Sequence, residues 1–197
     1  VGDIIDRSNE NEKCVGLLNE HWFTSIKGNH EDFCYKGMMD DHIKFYHRMS
    51  NNGGEWFYNL PEDLMYHIGN RLNQLPIMLE VEYKGKKFGF VHADLPVQDW
   101  ELAKEMLLNS DEIDGRAFEE YLLCGRGIVS DYENLGTSVE IAQVDNVFFG
   151  HTVLPRGQAV VRSVQCPRRG GAEHRGAARA RRWLRARALC AKHAPVD

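Results

Sequence analysis

Hydrophobic positions along the chain switch between a period of two and a helical period, and polar turn residues gather where each run stops. Residues 1–5 read as the end of a buried strand, with the carboxylates Asp3 and Asp6 where the strand gives way to a loop. Over 9–21, Cys14, Val15, Leu17 and Leu18 share one helical face, and acidic residues in the first turn suit the helix dipole. Residues 22–26 read as a second strand with Gly28-Asn29-His30 turning off its end, so the opening of the chain is expected to form a β–α–β unit. From 31 to 49 the spacing of Phe33, Met38, Met39, Ile43, Phe45 and Tyr46 predicts one helix, stopped by Asn51-Asn52-Gly53-Gly54, residues that tolerate positive φ.

A second helical stretch starts near Pro61-Glu62-Asp63, with Pro in a first-turn position, and runs through Leu64, Ile68 and Leu72 to Pro76. Residues 77–83 and 88–91 flank Lys84-Gly85-Lys86-Lys87, a hairpin signal with a basic, solvated tip, and His92 sits where the second strand ends. Residues 99–108 and 115–125 read as short surface helices, the first with Leu102, Met106 and Leu107 on one side, and Arg126 follows in a Gly-Arg-Gly loop. Residues 146–149 are a last apolar strand, and Gly150-His151-Thr152 leaves its end. Four strand ends are thus expected to present polar side chains to one place.

Charge divides the chain more sharply than periodicity does. Residues 1–155 hold 13 basic and 27 acidic side chains, whereas 156–197 hold 11 basic and 2 acidic. The acidic body argues against a specific nucleic-acid surface, and a phosphate site in it must rely on metal ions and a few placed arginines. In 156–197 the arginines alternate with Ala and Gly and show neither strand alternation nor an apolar face, so no fold is assigned and the segment is read as disordered or frame-shifted. The five cysteines form no CxxC pair, which leaves no sign of a disulfide framework or a thiolate metal site. No apolar run is long enough to cross a bilayer and the start lacks a secretion pattern, so a cytoplasmic, monomeric protein is expected.

The residue types at the four turns suit phosphoester hydrolysis. Phosphate monoesters are among the slowest compounds to hydrolyse unaided, and two metal ions a few Å apart both activate water and neutralise phosphoryl oxygens. Asp3, Asn29, His92 and His151 supply a carboxylate, an amide and two imidazoles, a plausible shell for one Mn, Fe or Zn ion. His30 would protonate the leaving oxygen as general acid, with Asp6 accepting its other ring proton. Arg7 and Arg126 would grip phosphate oxygens with their planar forks. Each motif alone is weak; their order and spacing make the signal specific.

GDIIDRS, GNHE, HAD and GHT, in that order, resemble the metal-dependent serine/threonine phosphoprotein phosphatases, and HADLP with NNGGEWFYNL is most similar to the bacteriophage lambda type. The resemblance covers residues 1–155. It implies an α/β fold, a four-layer α/β/β/α metallophosphoesterase sandwich incomplete here at both ends. It also implies two divalent metal ions, Mn foremost, and phosphoserine, phosphothreonine and sometimes phosphotyrosine proteins as substrates. Asp3 becomes the bridging ligand, with Asn29, His92 and His151 completing the second metal. Lys27 stands where such members often have another arginine, and Ser8 replaces a usual glycine. The GDxHG turn that completes the first metal is absent, so a non-catalytic metal-binding remnant is one rival; a diadenosine tetraphosphate hydrolase, which shares these turns, is the other.

The remaining residues take plainer readings. His21, His42, His47 and His67 fall in predicted helices and are read as surface or interhelix residues, the cysteines as small packed hydrophobes, and Trp56, Phe57 and Tyr58 as core in preference to the lining of a substrate groove. After the GHT turn the family continues to a strand and a DTGA-like turn, and an Arg/Ala/Gly-rich segment in that place is what translation in a shifted frame produces. Sequencing the DNA around codons 155–156 is expected to reveal an alternative frame encoding a DTGA-like turn; the absence of such a frame would sink the frame-shift reading.

Overall fold

The computed structural model describes residues 1–109, 113–130 and 140–153. The segment expected to be frame-shifted, 156–197, lies outside them. The chain divides into two compact units, Val1–Leu79 and Glu80–Asp197.

The first unit is helical among its described elements: α1 (Asn11–Gly16), a 3-10 turn (Leu17–Asn19), α2 (Asn29–Lys36), α3 (Asp41–Arg48), α4 (Glu55–Tyr58) and α5 (Glu62–Asn73). The strands expected at 1–5 and 22–26 do not form, and with them goes the β–α–β unit. In 1–5 the backbone turns left-handed at Gly2 (φ 77) and Asp3 (φ 52), and the amides of Asp3 and Ile4 are taken by a side chain instead of a ladder. Apolar character at 22–26 reports burial of Ile26 and no strand forms there; just beyond it, Lys27 donates its N–H to the Pro76 carbonyl at 2.8 Å.

The single helix expected over 31–49 is two. Asp40 has extended backbone, and its Oδ1 accepts the N–H groups of His42 (2.8 Å) and Ile43 (3.3 Å), so it caps a new helix and ends any continuation of α2. The Asn51-Asn52-Gly53-Gly54 stop forms as expected, with Gly53 at φ 82. Pro61 takes the cap position of α5, one residue earlier than a first-turn proline. The core gathers Ile5, Cys34, Phe57, Ile68 and Leu72, with α2 packed on α5 and α3. Burying side chains as large as Phe57 and Leu72 contributes about 2 kcal/mol each.

In the second unit, β1 (Met78–Tyr83), which begins at the junction, and β2 (Lys86–Val91) are joined by Lys84-Gly85. Both linker residues have positive φ (51 and 72), the combination a two-residue hairpin turn demands, so the tip is tighter than the four-residue expectation. Strand β3 (Asn146–Phe148) pairs parallel with β2, matching Phe88 with Asn146, Gly89 with Val147 and Phe90 with Phe148. The order β1-β2-β3 makes a mixed sheet, and helices with a mixed sheet give an α/β organisation.

Helices α6 (Trp100–Leu108) and α7 (Ile113–Cys124) pack together, and each keeps exposed residues such as Glu105, Leu108 and Glu120 while burying another face. Trp100, Ala103, Phe118, Leu122 and Leu123 are fully buried, while Leu102, Met106 and Leu107, the side singled out from spacing, are only half-buried. The Trp100 indole N–H donates to Glu80 Oε2 at 2.7 Å, and its six-membered ring lies over Gly89 so closely that a Cβ there would overlap it. Gly89→Ala is therefore expected to cost about 1–3 kcal/mol. A lower urea midpoint followed by tryptophan fluorescence would show this; an unchanged midpoint would contradict it.

Candidate active site

In the first unit a buried carboxylate joins two turns that are distant in sequence. Glu31, in the first turn of α2, accepts the N–H of Gly28 (2.7 Å) and of Asp3 (2.8 Å) on Oε2, and that of Ile4 on Oε1 (2.9 Å). The Gly28 bond is half of a capping box; glycine has no side chain to supply the other half. That role passes in part to Asp3, whose Oδ1 accepts the His30 N–H at 3.3 Å. Gly28 cannot carry a side chain, because a Cβ would overlap Asp3 and Glu31. Burial and the Asp3 charge push the Glu31 carboxyl up, and the backbone N–H bonds pull it partly back.

Asp6 is the hub of the second turn. Its Oδ2 accepts from His30 Nδ1 at 2.6 Å and from His47 Nε2 at 2.7 Å, and its Oδ1 accepts from the Trp56 indole at 2.6 Å. Its own N–H donates to Asn11 Oδ1 at 2.8 Å. Burial raises the carboxyl's pKa, but the bonds from His30 and His47, the His47 charge and the indole outweigh it and hold Asp6 down at about 2. Arg7 reaches the far nitrogen of the same ring, Nη2 to His30 Nε2 at 3.2 Å, and its Nε donates to the Asn51 carbonyl at 3.0 Å. An arginine donates only, so His30 Nε2 accepts here and the ring proton sits on Nδ1, facing Asp6.

The NNGG turn is shaped around these groups. A Cβ on Gly53 would strike the Arg7 backbone, and one on Gly54 would strike the His47 ring. Asp3, Asp6 and Arg7 have φ of 52, 68 and 54, left-handed values that non-glycine residues seldom adopt. Asn29 is buried at the start of α2. Lys27 is buried and donates from Nζ to Asn73 Oδ1 at 2.8 Å.

In the second unit His92 and His151 leave the ends of β2 and its parallel partner β3, as expected. His92 Nε2 and His151 Nδ1 lie 3.2 Å apart, and His151 has φ 61. Two nitrogens about 2.1 Å from one ion at a right angle stand about 3 Å apart, so the pair fits adjacent positions on a divalent metal. Asp94, two residues after His92, is buried and accepts the N–H of Gly127 (2.8 Å) on Oδ2 and those of Leu95 (2.8 Å) and Ile128 (3.3 Å) on Oδ1. It thereby ties the loop bearing Arg126, whose side chain is exposed, to the turn bearing His92.

Of the expected site residues, Asp3, Asp6, Arg7, Asn29 and His30 lie on neighbouring turns of the first unit, and His92, His151 and Arg126 belong to the second. Only the last two histidines follow strands; the two earlier turns follow irregular backbone. Sequence reasoning missed Glu31, His47 and Asp94. The Gly-x-x-Glu spacing was a legible signal for Glu31. His47, expected to be a surface or interhelix residue, is fully buried against Asp6 with Tyr58 Oη 3.0 Å from its Nδ1. Trp56 and Tyr58 pack as core and also serve this cluster, and of the cysteines Cys34 is buried, Cys14 half-buried and Cys124 exposed.

Comparison with known proteins supplies the family. The model of the calcineurin-like phosphoesterases matches residues 1–155, and the chain belongs to that family of metal-dependent hydrolases. It is similar to serine/threonine-protein phosphatase 2 of Escherichia coli (strain K12), 32% identical over 109 residues, 54% of this chain and 49% of that protein. Phosphatase 2 of Salmonella typhimurium is 33% identical over 113 residues, 56% of the chain and 50% of that protein. With serine/threonine-protein phosphatase 1 of Salmonella typhimurium the identity is 28% over 162 residues, 79% of the chain and 65% of that protein. The chain thus spans about half the length of the first two relatives. The family resemblance read from the motifs is borne out.

The depressed carboxyl of Asp6 sets a pH signature. Its folded-state pKa lies below the unfolded value of 3.8, so its contribution is present above pH 3.8 and lost as pH falls through about 2. The shift corresponds to about 2 kcal/mol. The stability gap between the wild type and Asp6→Asn, measured by urea unfolding, is expected to be constant above pH about 4 and to narrow below it. A gap that is unchanged down to pH about 2 would refute this.

Proposed function

We propose that this chain carries the catalytic residues of a protein phosphatase that hydrolyses phosphomonoesters on phosphoserine and phosphothreonine, with phosphotyrosine also accepted. The observation that carries the reading is the buried Asp6–His30 bond of 2.6 Å with Arg7 on the opposite ring nitrogen. Asp6 fixes the His30 ring, and Arg7, on turning to a phosphate oxygen, leaves Nε2 able to bear the proton for the leaving oxygen. Arg126 is the second phosphate contact. Asp3, Asn29, His92 and His151 are the ligands for divalent metal, Mn foremost with Fe or Zn as alternatives, and the converging nitrogens of His92 and His151 support that assignment. When bound, the metal lowers the pKa of water and offsets phosphoryl charge. We assign phosphorylated proteins or peptides as partners, a monomeric state, a cytoplasmic setting and the four-layer α/β/β/α sandwich of the family. No described helix is long and apolar enough to cross a membrane.

Hydrolysis of a phosphoserine peptide is expected to require added Mn and to fall by about 10²–10⁴-fold in His30→Asn, as loss of a general acid predicts. Phosphate release measured beside diadenosine tetraphosphate as an alternative substrate checks this. Faster cleavage of the dinucleotide, or no Mn-dependent turnover at all, would overturn the reading.

A further inference from the structure

We propose that His47 is a positioning residue for the His30 proton donor, acting through the Asp6 oxygen that the two rings share. Oδ2 of Asp6 receives both His30 Nδ1 and His47 Nε2, and Oδ1 receives the Trp56 indole. Three side-chain donors from three directions leave the carboxylate one orientation. Of the three, His47 is the one that bonds the same oxygen as His30, so it sets the line along which Asp6 accepts the His30 proton. His30 Nε2 is then aimed by a ring with no freedom about its far side.

The surroundings of His47 are built for this one arrangement. Its ring is fully buried, lies edge-on to Tyr58 and packs on the bare Cα of Gly54. With Nε2–H given to Asp6, its Nδ1 is an acceptor, and Tyr58 Oη at 3.0 Å is the donor it needs. The rival acceptor for that hydroxyl, the Phe33 carbonyl at 3.4 Å, already takes the Gly37 N–H at 2.8 Å. Donation thus converges on Asp6 Oδ2 from both sides, from Tyr58 through His47 and from Arg7 through His30. A histidine wanted only for volume needs none of these partners; a leucine would fill the space.

This rests on the reading of His30 as proton donor, and the test separates the two. Protonation matters most for poor leaving groups, so the readout compares phenyl phosphate with 4-nitrophenyl phosphate, whose phenol departs readily without a proton. In the full chain with Mn, His47→Leu is expected to lower kcat on phenyl phosphate about 10–100-fold and on 4-nitrophenyl phosphate less than about 3-fold, with KM unchanged. His47→Gln, whose amide N–H can replace Nε2–H, is expected to restore the phenyl phosphate rate to within about 5-fold. Equal losses on both substrates, or no recovery in the Gln variant, would overturn the proposal. Should the wild type turn over neither ester, the general-acid reading fails, and the positioning is judged by NMR without turnover. A downfield Nδ1–H signal of His30 should be present in wild type and His47→Gln and lost to solvent exchange in His47→Leu; its persistence in the leucine variant refutes the role of His47.

Discussion

The first unit depends on a buried carboxylate that accepts backbone N–H groups. Glu31 is buried with its charge facing the backbone N–H groups of Gly28, Asp3 and Ile4, so the start of α2 and the turn at Asp3 are held as one piece. A buried carboxylate is expensive to desolvate, and hydrogen bonds to a charged group contribute about 1.5–3 kcal/mol each, so the arrangement persists only while all its donors stay in place. Asp3 returns the constraint by capping the His30 amide. The general acid candidate therefore sits on a helix start whose geometry is set by residues far away in sequence.

Backbone strain is stored in known places in each unit. Among the described residues other than glycine, left-handed φ values fall at the expected site residues Asp3, Asp6 and Arg7 in the first unit and His151 in the second, and also at Lys84 and Gln143 outside the site. Such conformations cost of order 1 kcal/mol or more and survive where surrounding contacts over-determine them. Here the contacts are visible: Asn11 and three side-chain donors on Asp6, the Asn51 carbonyl on Arg7, and the glycine pair of the NNGG turn beneath Arg7 and His47. The turn that distinguishes the lambda-like resemblance is thus part of the support for the Asp6–His30 pair.

The second unit reaches a similar result through a sheet. A tight hairpin and a parallel partner bring His92 and His151 off adjacent strand ends, where a single register places both imidazoles together. Asp94 then uses backbone N–H groups to fasten the Arg126 loop to the same turn. In each unit a buried acid with no direct part in the proposed chemistry positions residues that have one.

Local chemistry was legible from sequence alone. The order of Asp, Arg, Asn and His turns after apolar runs identified the family, because each motif is a short stretch whose residue types follow from what a metal or phosphate needs. The hairpin at Lys84-Gly85, the stop at Gly53 and the helix to Asn73 were readable for the same reason, since turn residues and helical periodicity act over a few positions. What only the tertiary structure decided was pairing across distance. Whether 1–5 and 22–26 become strands depends on ladder partners, and in 1–5 the Glu31 carboxylate took the amides of Asp3 and Ile4 instead. A period of apolar residues shows that a face is buried, not what it meets, which is why His47 looked like any helical histidine. Its role comes from a carboxylate 41 residues earlier in the chain, a contact that no local pattern encodes.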